Sequence, residues 1–183
     1  MVKIHVENRS RNDLLKNQVN RDLISGLYTT IVNSMIWRAQ YDAEKITSEL
    51  HEFGRQIGVI FYPLLSKELD AKNIEDPSKY VSQLWKIIFS TKPDSCKWDK
   101  ESNQLIITAK SCVLCQNLSE QVYFPFSEAI AGLIEATVEV AVEDMKGRFS
   151  SLDISCYESE CSARDGTPYC KFILSIRGET SDQ

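Results

Sequence analysis

Residues 156–172 read CYESECSARDGTPYCKF and hold three of the chain's six cysteines. Asp165-Gly166 marks a turn between two strand-like runs, because glycine tolerates positive φ and aspartate hydrogen-bonds its own backbone. Centred on that pair, a hairpin sets Cys161 opposite Cys170, each four residues from the turn. Directly opposed strand residues have Cβ atoms about 4.5–5.5 Å apart, so two thiolates there converge on one ion. Pro168 cannot donate to a ladder, which lengthens the loop beyond two residues.

Working outward, a second cysteine pair precedes the hairpin. Leu105–Ala109 alternates as a strand, paired across the polar turn DKESN with Cys96–Trp98, and runs on into Ser111-Cys112-Val113-Leu114-Cys115. If these strands share a sheet with the hairpin, Cys112, Cys115, Cys161 and Cys170 gather at one edge. C-x2-C with C-x8-C resembles a four-cysteine structural zinc site, and Glu158, three residues before Cys161, is an alternative ligand. The competing readings for the four are unmetallated thiols or a Cys161–Cys170 disulfide. Cys96 and Cys156 have no such partners and read as small core residues.

The helices lie upstream and between the strands. From Asn20, Leu23, Leu27, Ile31 and Met35 recur every four residues beside Ile24, Tyr28, Val32 and Ile36, a wide apolar face. A second helix over Ala43–Leu69 turns Ile46, Leu50, Phe53, Ile57, Ile60, Phe61 and Leu64 inward, with Pro63 as a kink or interruption. Gly54 and Gly58 stand one turn apart on it, where a Cβ would hold off a neighbouring helix. Asp76-Pro77 supplies an N-cap and a proline at the first helical position for a helix to about Ser90. Ser127–Met145 forms a further helix, ended by Lys146-Gly147. At the start of the chain VKIHV reads as a short strand. About four to five helices on a four-stranded antiparallel sheet make an α+β fold. The expected layout is an N-terminal extension at 1–19, a single domain at 20–178 and a polar tail at 179–183.

Composition narrows the function. A net charge of −5 argues against nucleic acid and against docking on anionic membranes. The longest apolar run, Gly58–Leu65, falls far short of the ~20 residues of a membrane span, and the N-terminus lacks a secretory h-region. A cytoplasmic chain is expected, with its cysteines as free thiols or metal ligands. There is no phosphate loop and no nucleophile elbow, so no catalytic residue is assigned. His5 and His51 read as solvated, and Glu135, Glu139, Glu143 and Asp144 as a solvated helical face. Phe61, Trp85, Phe124 and Phe126 are candidates to line an apolar ligand cavity, against the ordinary expectation that they are core.

The segment Glu158-Ser159-Glu160-Cys161 through Asp165-Gly166 to Tyr169-Cys170-Lys171-Phe172 resembles the end of the 4-vinyl reductase domain. Phe126–Ala136 looks like the preceding helix of that family, and LHEFGRQIG at Leu50–Gly58 is similar to a helix shared with subunits of the TRAPP vesicle-tethering complex. The resemblance implies a TRAPP-like domain that binds a small, mostly apolar molecule between helices and sheet, often as a homodimer or with a related subunit. It also implies a zinc ion held by Glu158, Cys161 and Cys170. The family's remaining cysteine falls near Tyr123, which cannot replace a thiolate, leaving Cys112 and Cys115 to complete the set. Some TRAPP-like subunits carry a fatty acyl chain on a cysteine ahead of the third helix; residues 69–90 contain none here. Two other functions stand beside the ligand-binding one: a scaffold acting through its helical faces, and a reductase accessory, for which no cofactor motif is visible.

Overall fold

The computed structural model describes residues 22–69, 76–110, 112–115, 118, 121–144 and 152–178. The VKIHV strand, His5 and the Lys146-Gly147 stop lie outside them.

Helix α1 is described over residues 22–38 and turns at 39–42 into α2, Ala43–Leu65. Asp42 caps α2, its side chain accepting from the amides of Glu44 and Lys45. Pro63 falls in the last turn, and α2 runs through it to Leu65 instead of breaking. Helix α3, Pro77–Phe89, opens on the expected Asp76 cap with proline in the first turn. Then come strands β1 (Ser95–Asp99) and β2 (Gln104–Ala109), helix α4 (Glu128–Asp144), strand β3 (Leu152–Glu160), the single turn α5 (Ser162–Asp165) and strand β4 (Cys170–Gly178). The four strands form one antiparallel sheet in the order β1-β2-β4-β3. Five helices with this sheet realise the expected α+β architecture. No described helix is long and apolar enough to cross a membrane.

Helices α2 and α4 lie backbone against backbone. A Cβ on Gly54 would overlap the carbonyl oxygen of Ala129, and one on Gly132 the carbonyl oxygen of His51. A Cβ on Gly58 would come to 3.0 Å from the Ala136 Cβ. That approach corrects the expected inward face of α2. Ile46 and Leu50 are buried and Phe53 and Ile57 half-buried, but beyond them the buried stripe is Gly54, Gly58 and Tyr62. Ile60, Phe61 and Leu64 are exposed. The bulkiest apolar side chains marked one face, whereas the small residues that admit α4 set the packing on another. On α1 the core takes Tyr28, Val32 and Met35, while Leu23, Ile24 and Leu27 remain exposed.

Candidate metal centre

Sheet register explains why the cysteines meet. Ala109 at the end of β2 pairs with Cys170 at the start of β4, so the chain leaving β2 carries Cys112 and Cys115 past Cys170. The Cys115 amide donates to the Cys112 carbonyl at 3.1 Å, folding the C-x2-C into a turn. On the other side, β3 delivers Glu158 opposite Phe172, and its ladder ends with Glu160 opposite Lys171. Cys161 therefore lies outside the ladder as the residue before α5, and the loop, longer than two residues as Pro168 implied, contains that helical turn at Ser162–Asp165. Gly166, at φ 68°, reverses the chain after it. The Cys161 amide donates to Asp165 Oδ2 at 2.7 Å, and the amides of Arg164 and Asp165 donate back to the Cys161 carbonyl.

Two trios of donors result. Cys112, Cys115 and Cys170 have ligand atoms within 4.8 Å of one another, as do Glu158, Cys161 and Cys170. Cys170 belongs to both. Cys115 Sγ and Cys170 Sγ are 3.7 Å apart, close to the roughly 3.8 Å expected of two thiolates each about 2.3 Å from one tetrahedral ion. All six cysteines are free, so no disulfide joins Cys161 to Cys170. Cys112, Cys161, Cys170 and Glu158 are buried and Cys115 half-buried.

The N-terminus of α4 closes over these donors. The Ser127 amide donates to Glu158 Oε2 at 2.9 Å, and the Glu158 amide donates to Glu128 Oε2 at 2.9 Å, a reciprocal pair locking α4 to β3. The Phe126 amide approaches Cys161 Sγ at 3.3 Å. Ser127 Oγ contacts Cys112 at 3.1 Å, Cys115 at 3.0 Å and Cys170 at 3.7 Å. Ser127, not Tyr123, is thus the residue that the start of this helix presents to the cluster; Tyr123 is exposed. Spacing rules do not flag a serine, and only its place one residue before α4 would have pointed to it. Beneath it the buried Tyr28 hydroxyl donates to the Phe126 carbonyl, tying α1 to the same turn.

The electrostatics of the cluster favour a cation. Burial, then the charges of Cys161 and Cys170, push the Glu158 carboxyl well up, and its Oε1 is buried with no hydrogen-bond partner. Hydrogen bonds from Cys115 and Cys170 hold the Cys112 thiol well below its ordinary range. Contact with Cys112 raises Cys170, but hydrogen bonds from Cys115 and Cys161 outweigh it and bring Cys170 to about 7. Hydrogen bonding to Cys112, then to Cys161 and Cys170, pushes the Cys115 thiol up. Acidic donors collected away from water repel one another unless protonated or neutralised by a metal ion. The orphaned Oε1 and the thiol set therefore fit a soft divalent ion such as zinc.

The remaining candidates separate. Trp85, Phe124 and Phe126 are buried. Trp85 packs on Phe89 and Phe172, and Phe126 on Phe124 and Tyr28. Phe61 is exposed on α2 and joins neither group. Cys156 is buried, and Cys96 is half-buried with its thiol donating to the Ser78 carbonyl at 3.3 Å.

His51 and Glu135 are not solvated. His51 Nδ1 lies 2.9 Å from Glu128 Oε1 and Nε2 lies 3.3 Å from Glu135 Oε1. With a carboxylate on each ring nitrogen, His51 is an imidazolium, its pKa raised to about 9 by the Glu128 and then the Glu135 hydrogen bonds. Arg55 joins Glu135 and Glu139, and Glu135 Oε2 accepts the Cys156 amide at 2.6 Å. Pairing cations on α2 with carboxylates on α4 brings two buried helix faces together without unpaired charge. Glu143 and Asp144 are exposed, as expected.

Fold and site together define an α+β domain with a buried thiol–carboxylate cluster at the edge of its sheet. The sequence pattern of the transport protein particle (TRAPP) component family matches residues 24–149, and the chain belongs to that family. The match ends before β3, so the hairpin with Glu158, Cys161 and Cys170 lies beyond it. Among solved structures, a trafficking protein particle complex subunit 3 from Naegleria fowleri, covalently bound to palmitic acid, is similar at a TM-score of 0.73 and 15% identity. That alignment covers 87% of this chain and 96% of the Naegleria chain. The phenol-responsive sensory domain of the transcription activator PoxR, solved with phenol, aligns at a TM-score of 0.44 and 11% identity, over 82% of this chain and 72% of that one. No curated protein matches the sequence.

Proposed function

We propose that the chain is a non-catalytic assembly domain that works as a homodimer or with a related subunit, its shape held by one structural zinc ion as in 4-vinyl reductase domains. The observation that carries the assembly role is the exposure of Leu23, Ile24 and Leu27 on α1 and of Val59, Ile60, Phe61 and Leu64 on α2. Seven large apolar side chains exposed on two helices are what a partner-facing surface presents. Cys112, Cys115, Cys161, Cys170 and Glu158 supply more donors than a tetrahedral ion needs. A shell filled by them leaves no open position for water, which makes the metal a clasp between the C-x2-C turn, the β3–β4 hairpin and α4.

A second reading is a binding domain for a small apolar molecule. It is favoured by two buried ring groups, Trp85 on Phe172 and Phe124 on Phe126, of which Phe126 offers its amide to Cys161 and Phe172 pairs with Glu158 across the sheet. The similar Naegleria subunit holds palmitic acid covalently. Covalent attachment has no counterpart in this reading, because residues 69–90 lack cysteine and burial pushes the Cys96 thiol up to about 12. A noncovalent ligand would instead enter where the aromatics meet the sheet.

Light scattering on the intact chain tests the assembly role. The wild-type protein should run as a dimer, and Ile60→Glu with Leu64→Glu should give a folded monomer. A wild-type monomer that binds no related subunit would refute it.

A further inference from the structure

Away from the cysteine cluster, a cavity of about 640 Å³ opens between α3 and the start of β1. Lys79, Lys86 and Lys92 line it, with Asp94 as the one acid among the described residues of its wall. This is a cationic concavity on a chain whose net charge is −5. On α3, Lys79, Ser82 and Lys86 fall at i, i+3 and i+7, along one stripe of the helix. Lys92 returns to that stripe from the loop, where Ser90 takes a left-handed conformation at φ 57° and Pro93 stiffens the approach to β1.

The neighbouring acids are already engaged. Asp94 Oδ2 accepts the Lys110 amide at 2.7 Å, and Asp76 caps α3 while pairing with Lys79 at 3.2 Å. Lys86 and Lys92 have no carboxylate partner among the described residues. Lys86 suits the C-terminal turn of α3, but Lys79 stands in the first turn, where the helix dipole opposes a cation. The Asp76 pair and the helix dipole account for Lys79 and Lys86, and Lys92 has no such account. Ser78, Ser82 and Ser95 line the same wall. Lysines and serines along one concave surface supply the kinds of donor that phosphate oxygens require.

We infer that this cavity binds a phosphate monoester of sugar-headgroup size through Lys79, Lys86 and Lys92. The chemistry is shared by a soluble sugar phosphate and a phosphoinositide headgroup, and the site is independent of the metal and of the apolar helix faces.

Titration calorimetry with inositol trisphosphate and sedimentation with phosphatidylcholine vesicles containing phosphatidylinositol 4-phosphate test it. Wild type should bind the trisphosphate. Lys86→Glu with Lys92→Glu should weaken binding at least tenfold, at unchanged melting temperature. Lys45→Glu with Lys67→Glu, an equal charge change on exposed positions outside the cavity, should stay within twofold. Vesicle binding lost in the cavity variant would assign the site to a lipid headgroup. Trisphosphate binding without vesicle binding would assign it to a soluble ester. Absence of binding in both arms, or equal weakening by the two variant pairs, would overturn the inference.

Discussion

Cys170 carries more of the cluster than any other side chain, because both donor trios include its Sγ. Cys170→Ser should abolish zinc retention and lower stability by on the order of 3–5 kcal/mol, since it removes a ligand and strands the remaining buried acids. Cys96→Ser, outside the cluster, should stay within about 1 kcal/mol, because serine keeps the bond to the Ser78 carbonyl. Equal losses of stability in chemical denaturation would remove the cluster's special standing. His51 supports a prediction with a definite sign. Its folded pKa of about 9 lies above the ordinary 6.5, so its contribution is complete below about 6.5 and is lost as pH rises through 9. Glu128 and Glu135 of α4 face it, and Arg55 beside it on α2 pairs with Glu135 and Glu139. The melting temperature of wild type relative to His51→Gln should therefore fall between pH 7 and 10, and a constant difference would contradict the imidazolium clamp. At this scale the sequence exposed residues with strong chemical identity. The four cysteines and Glu158 were legible from paired spacing, whereas Ser127 and His51 owe their roles to partners tens of residues away.

Among the elements, α2 against α4 is the tightest contact, and two glycines permit it. Gly132→Ala would drive a methyl group into the His51 carbonyl and should cost about 3 kcal/mol, as backbone has little room to yield. Gly26→Ala on α1 meets nothing within 4 Å and should stabilise by about 0.5–1 kcal/mol through helix propensity. Urea unfolding of the two variants separates packing from propensity, and similar effects would refute the close approach. The glycine spacing on α2 announced this contact in advance. The direction of the rest of α2 was not legible, because Ile60, Phe61 and Leu64 follow the same period whether they meet a core or a partner. In the hairpin, the positions of Cys161 and Cys170 were readable, but the α5 turn between them was not. Asp165 forms it through the Cys161 amide, a local bond that competes with the tight turn its pairing with Gly166 suggests.

For the whole molecule, the fold class followed from the change of periodicity after Pro93 and from the two strand pairs read on either side of the helix at Ser127. The family match covers α2 to α4 and the first hairpin, while the candidate metal donors straddle its boundary: Cys112 and Cys115 inside, Glu158, Cys161 and Cys170 beyond. A metal ion held across that boundary would join the β3–β4 hairpin to the rest of the domain through a few side chains. Native mass spectrometry of protein purified with its thiols reduced tests this claim most directly. One zinc ion per chain is expected, retained in wild type and lost in Cys170→Ser. Metal-free wild-type protein that is folded and fully reduced would contradict it.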